Sequence, residues 1–201
     1  MSYTPISDIA ATGNQYFDTG IYGNQDTNYE VGFYPISTGG YIFGARTKNT
    51  QNALTLFWGG IQGDNVFYAD RGSTRYESNK PIRDYIASLQ NRVLTLNDTV
   101  VTTFPAEDFT TPTTIKLFAI ESEGGIVPAV VGTRIAYCKF WDGDTLIRDF
   151  VPAKDENGVV CFWDTVTNKY YYKQSATNGF DKKSFLTGIA VGMQVRRRLP
   201  G

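Results

Sequence analysis

Histidine is missing from all 201 residues, and cysteine occurs only twice. A chain without imidazole cannot build a Ser-His-Asp or Cys-His catalytic set, and it lacks the ligand of the commonest zinc sites. The two cysteines, Cys138 and Cys161, form no C-x-x-C pair and sit in separate strand-like runs flanked by large apolar residues. They read as two buried, reduced thiols, with a cross-strand disulfide as the alternative. An excess of either charge is missing as well: 19 Lys and Arg stand against 20 Asp and Glu, and the basic residues are scattered apart from Arg196, Arg197 and Arg198. That balance lacks the field of a nucleic-acid binder. No run of 18 apolar residues exists, and positions 1–12 carry neither a basic nor an apolar leader segment. The expectation is a soluble protein without membrane insertion, made without a secretory signal. Helical periodicity is scarce too, and Pro81 to Gln90 is the only modest helical candidate.

What is abundant points to pleated sheet. Aromatics make up 14% of the chain, with 13 Tyr and 13 Phe, and 20 Gly supply turns. These residues suit half-buried strand surfaces joined by tight turns. Short alternating runs separated by turn residues predict about eleven strands in an all-β, two-sheet antiparallel sandwich of the jelly-roll type. The runs are 29–34, 41–47, 53–59, 65–70, 92–96, 100–104, 114–120, 134–141, 145–152, 159–164 and 169–173. Alternation places Ile115, Leu117 and Ala119 on one face, opposite Lys116 and Phe118, and places Ile135 with Tyr137, Lys139 and Trp141, opposite Ala136, Cys138 and Phe140. Hairpin turns are expected at Asp142-Gly143-Asp144, at Glu156-Asn157-Gly158, where the Asn-Gly pair would supply positive φ, and at Thr167-Asn168. At this length the core needs no staple, and roughly 70% of the unfolded surface should be buried. One domain over 1–187 and an exposed Arg-rich tail over 188–201 follow as the domain expectation.

Several stretches resemble one family. The run Thr12 to Ile21 (TGNQYFDTGI), the strand Tyr41 to Arg46 (YIFGAR), the segment Phe140 to Ala153 (FWDGDTLIRDFVPA) and the continuation Gly158 to Tyr171 are similar in order and spacing to laminin-G-like, concanavalin A-like domains of phages and prophages of gut bacteria. Together they span about residues 10 to 175. The resemblance implies a two-sheet jelly roll and a place among virion or tail-associated proteins, where such domains serve as adhesion, decoration or fibre modules. Ala153 stands where many relatives carry Cys. The resemblance supplies no ligand.

Within these motifs, Arg148 is expected to pair with an acid on an adjacent strand, and Asp18 to accept backbone N–H bonds in a turn. Glycoside hydrolysis needs two carboxylates facing one groove, yet the nearest pairings, Glu121 with Glu123 and Asp142 with Asp144, fall in turns. Asp142, Asp144, Asp64 and Asn65 could offer oxygens to calcium but lack recognisable ligand spacing, so no metal and no cofactor is assigned. Walker, dinucleotide and nucleophile-elbow motifs are absent. Trp58, Tyr68, Arg71 and Tyr76 cluster over 57–78 and form the candidate ligand site, an aromatic platform with polar flanks suited to a saccharide. Arg196, Arg197 and Arg198 form the candidate protein-docking run. The sequence thus reads as a non-enzymatic virion structural, decoration or fibre module acting through protein–protein contact, with a carbohydrate-binding adhesin for bacterial surface glycan as the alternative. Expected partners are other virion proteins, further copies of the chain, or a host surface glycan.

Overall fold

The computed structural model describes residues 3–36, 39–59 and 65–176. The tail, with Arg196, Arg197 and Arg198, lies outside the described residues, as do Asp64 and the proposed boundary at 187. Among the described residues all regular structure is strand. In chain order these are β1 (Thr4–Pro5), β2 (Ile9–Ala10), β3 (Gln15–Asn24), β4 (Thr27–Tyr34), β5 (Gly40–Ala45), β6 (Ala53–Trp58), β7 (Val66–Gly72), β8 (Thr74–Asn79), β9 (Tyr85–Gln90) and β10 (Val93–Leu96). They continue as β11 (Thr99–Thr103), β12 (Thr110–Leu117), β13 (Ala119–Ser122), β14 (Gly125–Pro128), β15 (Arg134–Asp142), β16 (Thr145–Lys154), β17 (Val160–Asp164), β18 (Lys169–Tyr172) and β19 (Gln174–Ser175).

Two sheets pack face to face. The first runs β11-β10-β9-β4-β15-β16-β17-β18, with β2 added to β15 and β1 to β16; the second runs β19-β3-β12-β5-β6-β7-β8, with the β13–β14 hairpin joined to β5. Pairing is antiparallel throughout except for one parallel bridge, Glu121 to Ala45. The architecture is the expected all-β sandwich, consistent with a jelly-roll-type fold.

Rings hold the sheets together. Tyr29 of the first sheet meets Phe43 of the second edge-to-face at 4.8 Å, and Phe43 meets Phe140 at 5.4 Å. Phe162 of β17 meets Phe17 of β3 at 4.9 Å, again edge-to-face. Such pairs add about 0.5–1.5 kcal/mol beyond their area. Trp58, Phe67 and Tyr85 fill the core with Phe33, and the Trp58 and Tyr85 rings lie 5.0 Å apart.

The structure corrects several readings. The segment Pro81 to Gln90 is no helix: its second part is β9, a strand between β4 and β10. Tyr85, Ala87 and Leu89 point to the core while Ile86 and Gln90 are exposed, a period of two that outweighs the weak helical propensity. Ile135 shares the core with Cys138 and Phe140 rather than facing out with Tyr137, because a register shift against β4 falls between Ile135 and Tyr137. Phe118 likewise enters the core beside Leu117: its φ is +60°, which ends β12 and turns the ring inward. That conformation is costly for an aromatic residue and is held by Phe118 N–H donating to Ile42 and by Ala129 N–H donating to the Phe118 carbonyl, at 2.8 and 2.7 Å. At 155–159 Gly158 alone has positive φ, and Asp155 completes the turn by accepting from the N–H groups of Asn157 and Val159, each at 2.9 Å.

Other readings hold. Gly143 and Asn168 carry the positive φ of their hairpins. Arg148 pairs with buried Asp164 on neighbouring β17 at 3.6 Å and also reaches the Thr19 carbonyl of the other sheet. Both thiols are free and buried. Cys138 belongs to the main core, whereas Cys161 joins Ala153 and Trp163 in a separate small cluster. Burial raises Cys138 well above the ordinary thiol value and pushes Cys161 up to about 11.

Candidate functional site

Alternation decides which side chains of the second sheet reach its outer face. Leu54, Leu56 and Trp58 of β6 belong to the core, so Thr55 and Phe57 point out; on β7, Phe67 and Ala69 point in, so Tyr68 and Asp70 point out. Register then aligns them in rows: Tyr41 opposite Phe57, Phe57 opposite Tyr68, and Thr55 opposite Asp70 opposite Arg75.

The first row is aromatic. Phe57 and Tyr68 stack at 4.6 Å with planes 12° apart, and Tyr41 follows at 5.8 Å from Phe57. All three rings are half-buried. The Arg75 guanidinium lies 5.1 Å from the Tyr68 centroid and 5.4 Å from that of Phe57, within cation–π range. In the second row Asp70 is wholly buried and accepts from Arg75 Nε at 2.7 Å, from a terminal nitrogen of Arg75 at 3.0 Å and from the Thr55 hydroxyl at 2.8 Å. The hydrogen bond to Asp70 raises the Arg75 pKa further, although burial opposes it. A fork-to-fork pair of this kind fixes the guanidinium in place. The result is an open groove of about 250 Å³ lined by Gly39, Tyr41, Phe57, Trp58, Gly59, Tyr68 and Arg75. Rigid rings beside one oriented cation give a surface that takes apolar faces and hydrogen-bonding rims together.

Of the four residues singled out from sequence, only Tyr68 presents its ring to this groove. Trp58 borders it, but its ring is fully buried against Phe33, Phe67 and Tyr85. Tyr76 packs toward the core, its ring 6.2 Å from Phe67. Arg71 sits at one end of the sandwich, 3% exposed, donating to the carbonyls of Gln25 at 2.6 Å and Pro105 at 3.2 Å and lying 5.3 Å from the Phe109 ring. Sequence reasoning missed Tyr41, Phe57 and Arg75. The signal was the phase of β6: one position separates Phe57, which faces out, from Trp58, which does not.

Arg71 helps line a second cleft, of about 350 Å³, where turns from both sheets meet. Several of its polar groups hold one another or the turns beside them. Asn28 donates to the Gly143 carbonyl at 2.9 Å and accepts from Asn91 N–H at 3.0 Å, and Glu107 accepts from Ser73 N–H at 2.8 Å. Gly72 has φ +62°, which strains any other residue, and an added Cβ would push aside the Glu107 carboxylate. Burial, and then the nearby Arg92 charge, lowers the Arg71 pKa. This end is a polar clasp that fastens the turns. Among the described residues no three His, Cys, Asp or Glu side chains gather as metal ligands. Asp144 stands exposed in its turn, Asp142 at the end of β15 and Asn65 just before β7.

No protein-family model matches the chain, and no curated protein matches it.

Proposed function

We propose that the protein is a non-enzymatic recognition module of a phage virion that binds a saccharide of the bacterial surface in the groove beside Tyr41, Phe57, Tyr68 and Arg75. The observation that carries this reading is the row of half-exposed rings on three adjacent strands with an arginine locked beside it. A pyranose offers apolar C–H faces to rings and hydroxyl rims to a fixed donor, so this combination matches its chemistry. The virion setting rests on the resemblance of Thr12 to Ile21, Phe140 to Ala153 and Gly158 to Tyr171 to phage laminin-G-like domains. A panel of bacterial surface polysaccharides, titrated with the purified chain, tests it. Saturable binding of a defined saccharide supports the reading, and no binding across the panel overturns it.

A second reading, assembly through protein–protein contact, is favoured by Val127, Val130 and Val131, which are 45%, 37% and 67% exposed within one short stretch. Mass spectrometry of particles, with Val131→Asp reducing incorporation, is the result it predicts.

A further inference from the structure

Away from the groove, three ionisable side chains converge on the outer face of the second sheet. Lys116 of β12 stands directly opposite Asp18 of β3. Its ammonium lies 2.7 Å from Asp18 Oδ2 and 3.1 Å from Glu121 Oε2, yet the lysine side chain is only 7% exposed. Gly44 is its other neighbour in register, and an added Cβ there would lie 3.0 Å from the Ile120 side chain, which covers this part of the sheet's outer face. The other oxygen of the same carboxylate is held separately. Asp18 Oδ1 accepts from the Thr114 hydroxyl at 2.6 Å and from Gly20 N–H at 3.0 Å.

A surface ion pair would need none of this. Two donors on Oδ1 polarise the carboxyl group and sit where negative charge would develop if a nucleophile added to Cγ. An amine that donates to the other oxygen, Oδ2, and to the Thr114 hydroxyl supplies that nucleophile beside the carboxyl group. A second carboxylate beside the amine can take its proton and return it to a leaving oxygen. We propose that Lys116 and Asp18 are joined by an isopeptide bond that the folded chain forms by itself, with Glu121 as the proton relay.

The step balances without an oxidant or second reactant. The ammonium passes a proton through Glu121 to Asp18 Oδ2, and the free Nζ then attacks Cγ of the neutral acid. Charge gathers on Oδ1 and is returned as the Cγ–Oδ2 bond breaks. Oδ2 departs as water with two of the three original ammonium protons, one of them delivered by Glu121, and the third remains on the amide nitrogen. One ammonium and one carboxylate become one neutral amide and one water, and Glu121 ends as it began. Burial raises the Asp18 carboxyl, but Lys116, Thr114 and Gly20 more than offset this and hold it below its ordinary value, so the reactants start as an ion pair. Burial of the Lys116 side chain favours the neutral amide over the ion pair.

The intact mass of the denatured full chain, followed by peptide mapping, tests the proposal. The expected result is a mass lower than the sequence mass by one water, with a branched peptide containing both Asp18 and Lys116. Lys116→Arg and Glu121→Gln should show the full sequence mass, and circular dichroism should show both variants folded as sheet. Recovery of separate linear peptides carrying unmodified Asp18 and Lys116 from the wild-type chain would overturn the bond. A Glu121→Gln chain that still yields the branched peptide would overturn the relay.

Discussion

The outer faces of the two sheets use the same kind of residue to opposite ends. On the first sheet Trp163 is sandwiched: Tyr3 stacks on it at 5.2 Å and Tyr170 meets it at 4.7 Å, leaving the tryptophan 5% exposed. There the N-terminal strand β1 pairs with β16 and brings a cover with it. On the second sheet no described strand lies over the Tyr41, Phe57 and Tyr68 row, and a groove remains. An aromatic side chain on an outer face is therefore a small secondary core or an exposed platform according to what the rest of the chain lays over it. Composition is the same in both cases.

The strongest way to break this contrast is at Trp58, which borders the groove but belongs to the core. Trp58→Ala should cost about 3–5 kcal/mol, read as a lowered urea midpoint. A variant of wild-type stability that had lost saccharide binding would instead make Trp58 a platform residue. Next comes Asp70, the buried acid that orients Arg75. Asp70→Ala strands a partly buried guanidinium and should cost about 3 kcal/mol, measured in the same unfolding experiment, with saccharide affinity lost alongside. On the covered face, Tyr3→Ala should cost only about 1 kcal/mol and leave saccharide affinity unchanged. A fall in affinity there would move the site to the first sheet.

The smallest effect concerns pH. The Asp18 carboxyl is held below its ordinary value of 3.8 while it remains a free acid. A depressed acid contributes stability that is present above its unfolded value and is lost as pH falls through the lower folded value. Glu121→Gln, with the pair unlinked, should show this loss in acid titrations followed by circular dichroism. The linked wild-type chain should not, because an amide does not titrate.

Much of the fold was legible because alternation and turn chemistry are local. Gly143, Asn168 and the pairing of Arg148 with an adjacent-strand acid all followed from short-range pattern. The failures fall where a single residue resets the phase. The shift around Ala136 and the positive φ of Phe118 each exchange inside for outside, and neither leaves a mark in composition. The same sensitivity governed the candidate site. Tyr68 was found, but Phe57 was passed over for its larger neighbour Trp58, and Tyr41 and Arg75 are joined to Tyr68 only by the register across β5 to β8. The Asp18–Lys116 contact joins residues 98 positions apart in the chain, which pattern alone does not bring together.

The most direct test of the central claim is binding of the purified chain to bacterial cells and their isolated polysaccharide, with Phe57→Ala/Tyr68→Ala compared against wild type. Loss of at least about tenfold in affinity, with the unfolding midpoint close to wild type, is the outcome the account predicts. Wild-type affinity in the folded double variant would contradict it.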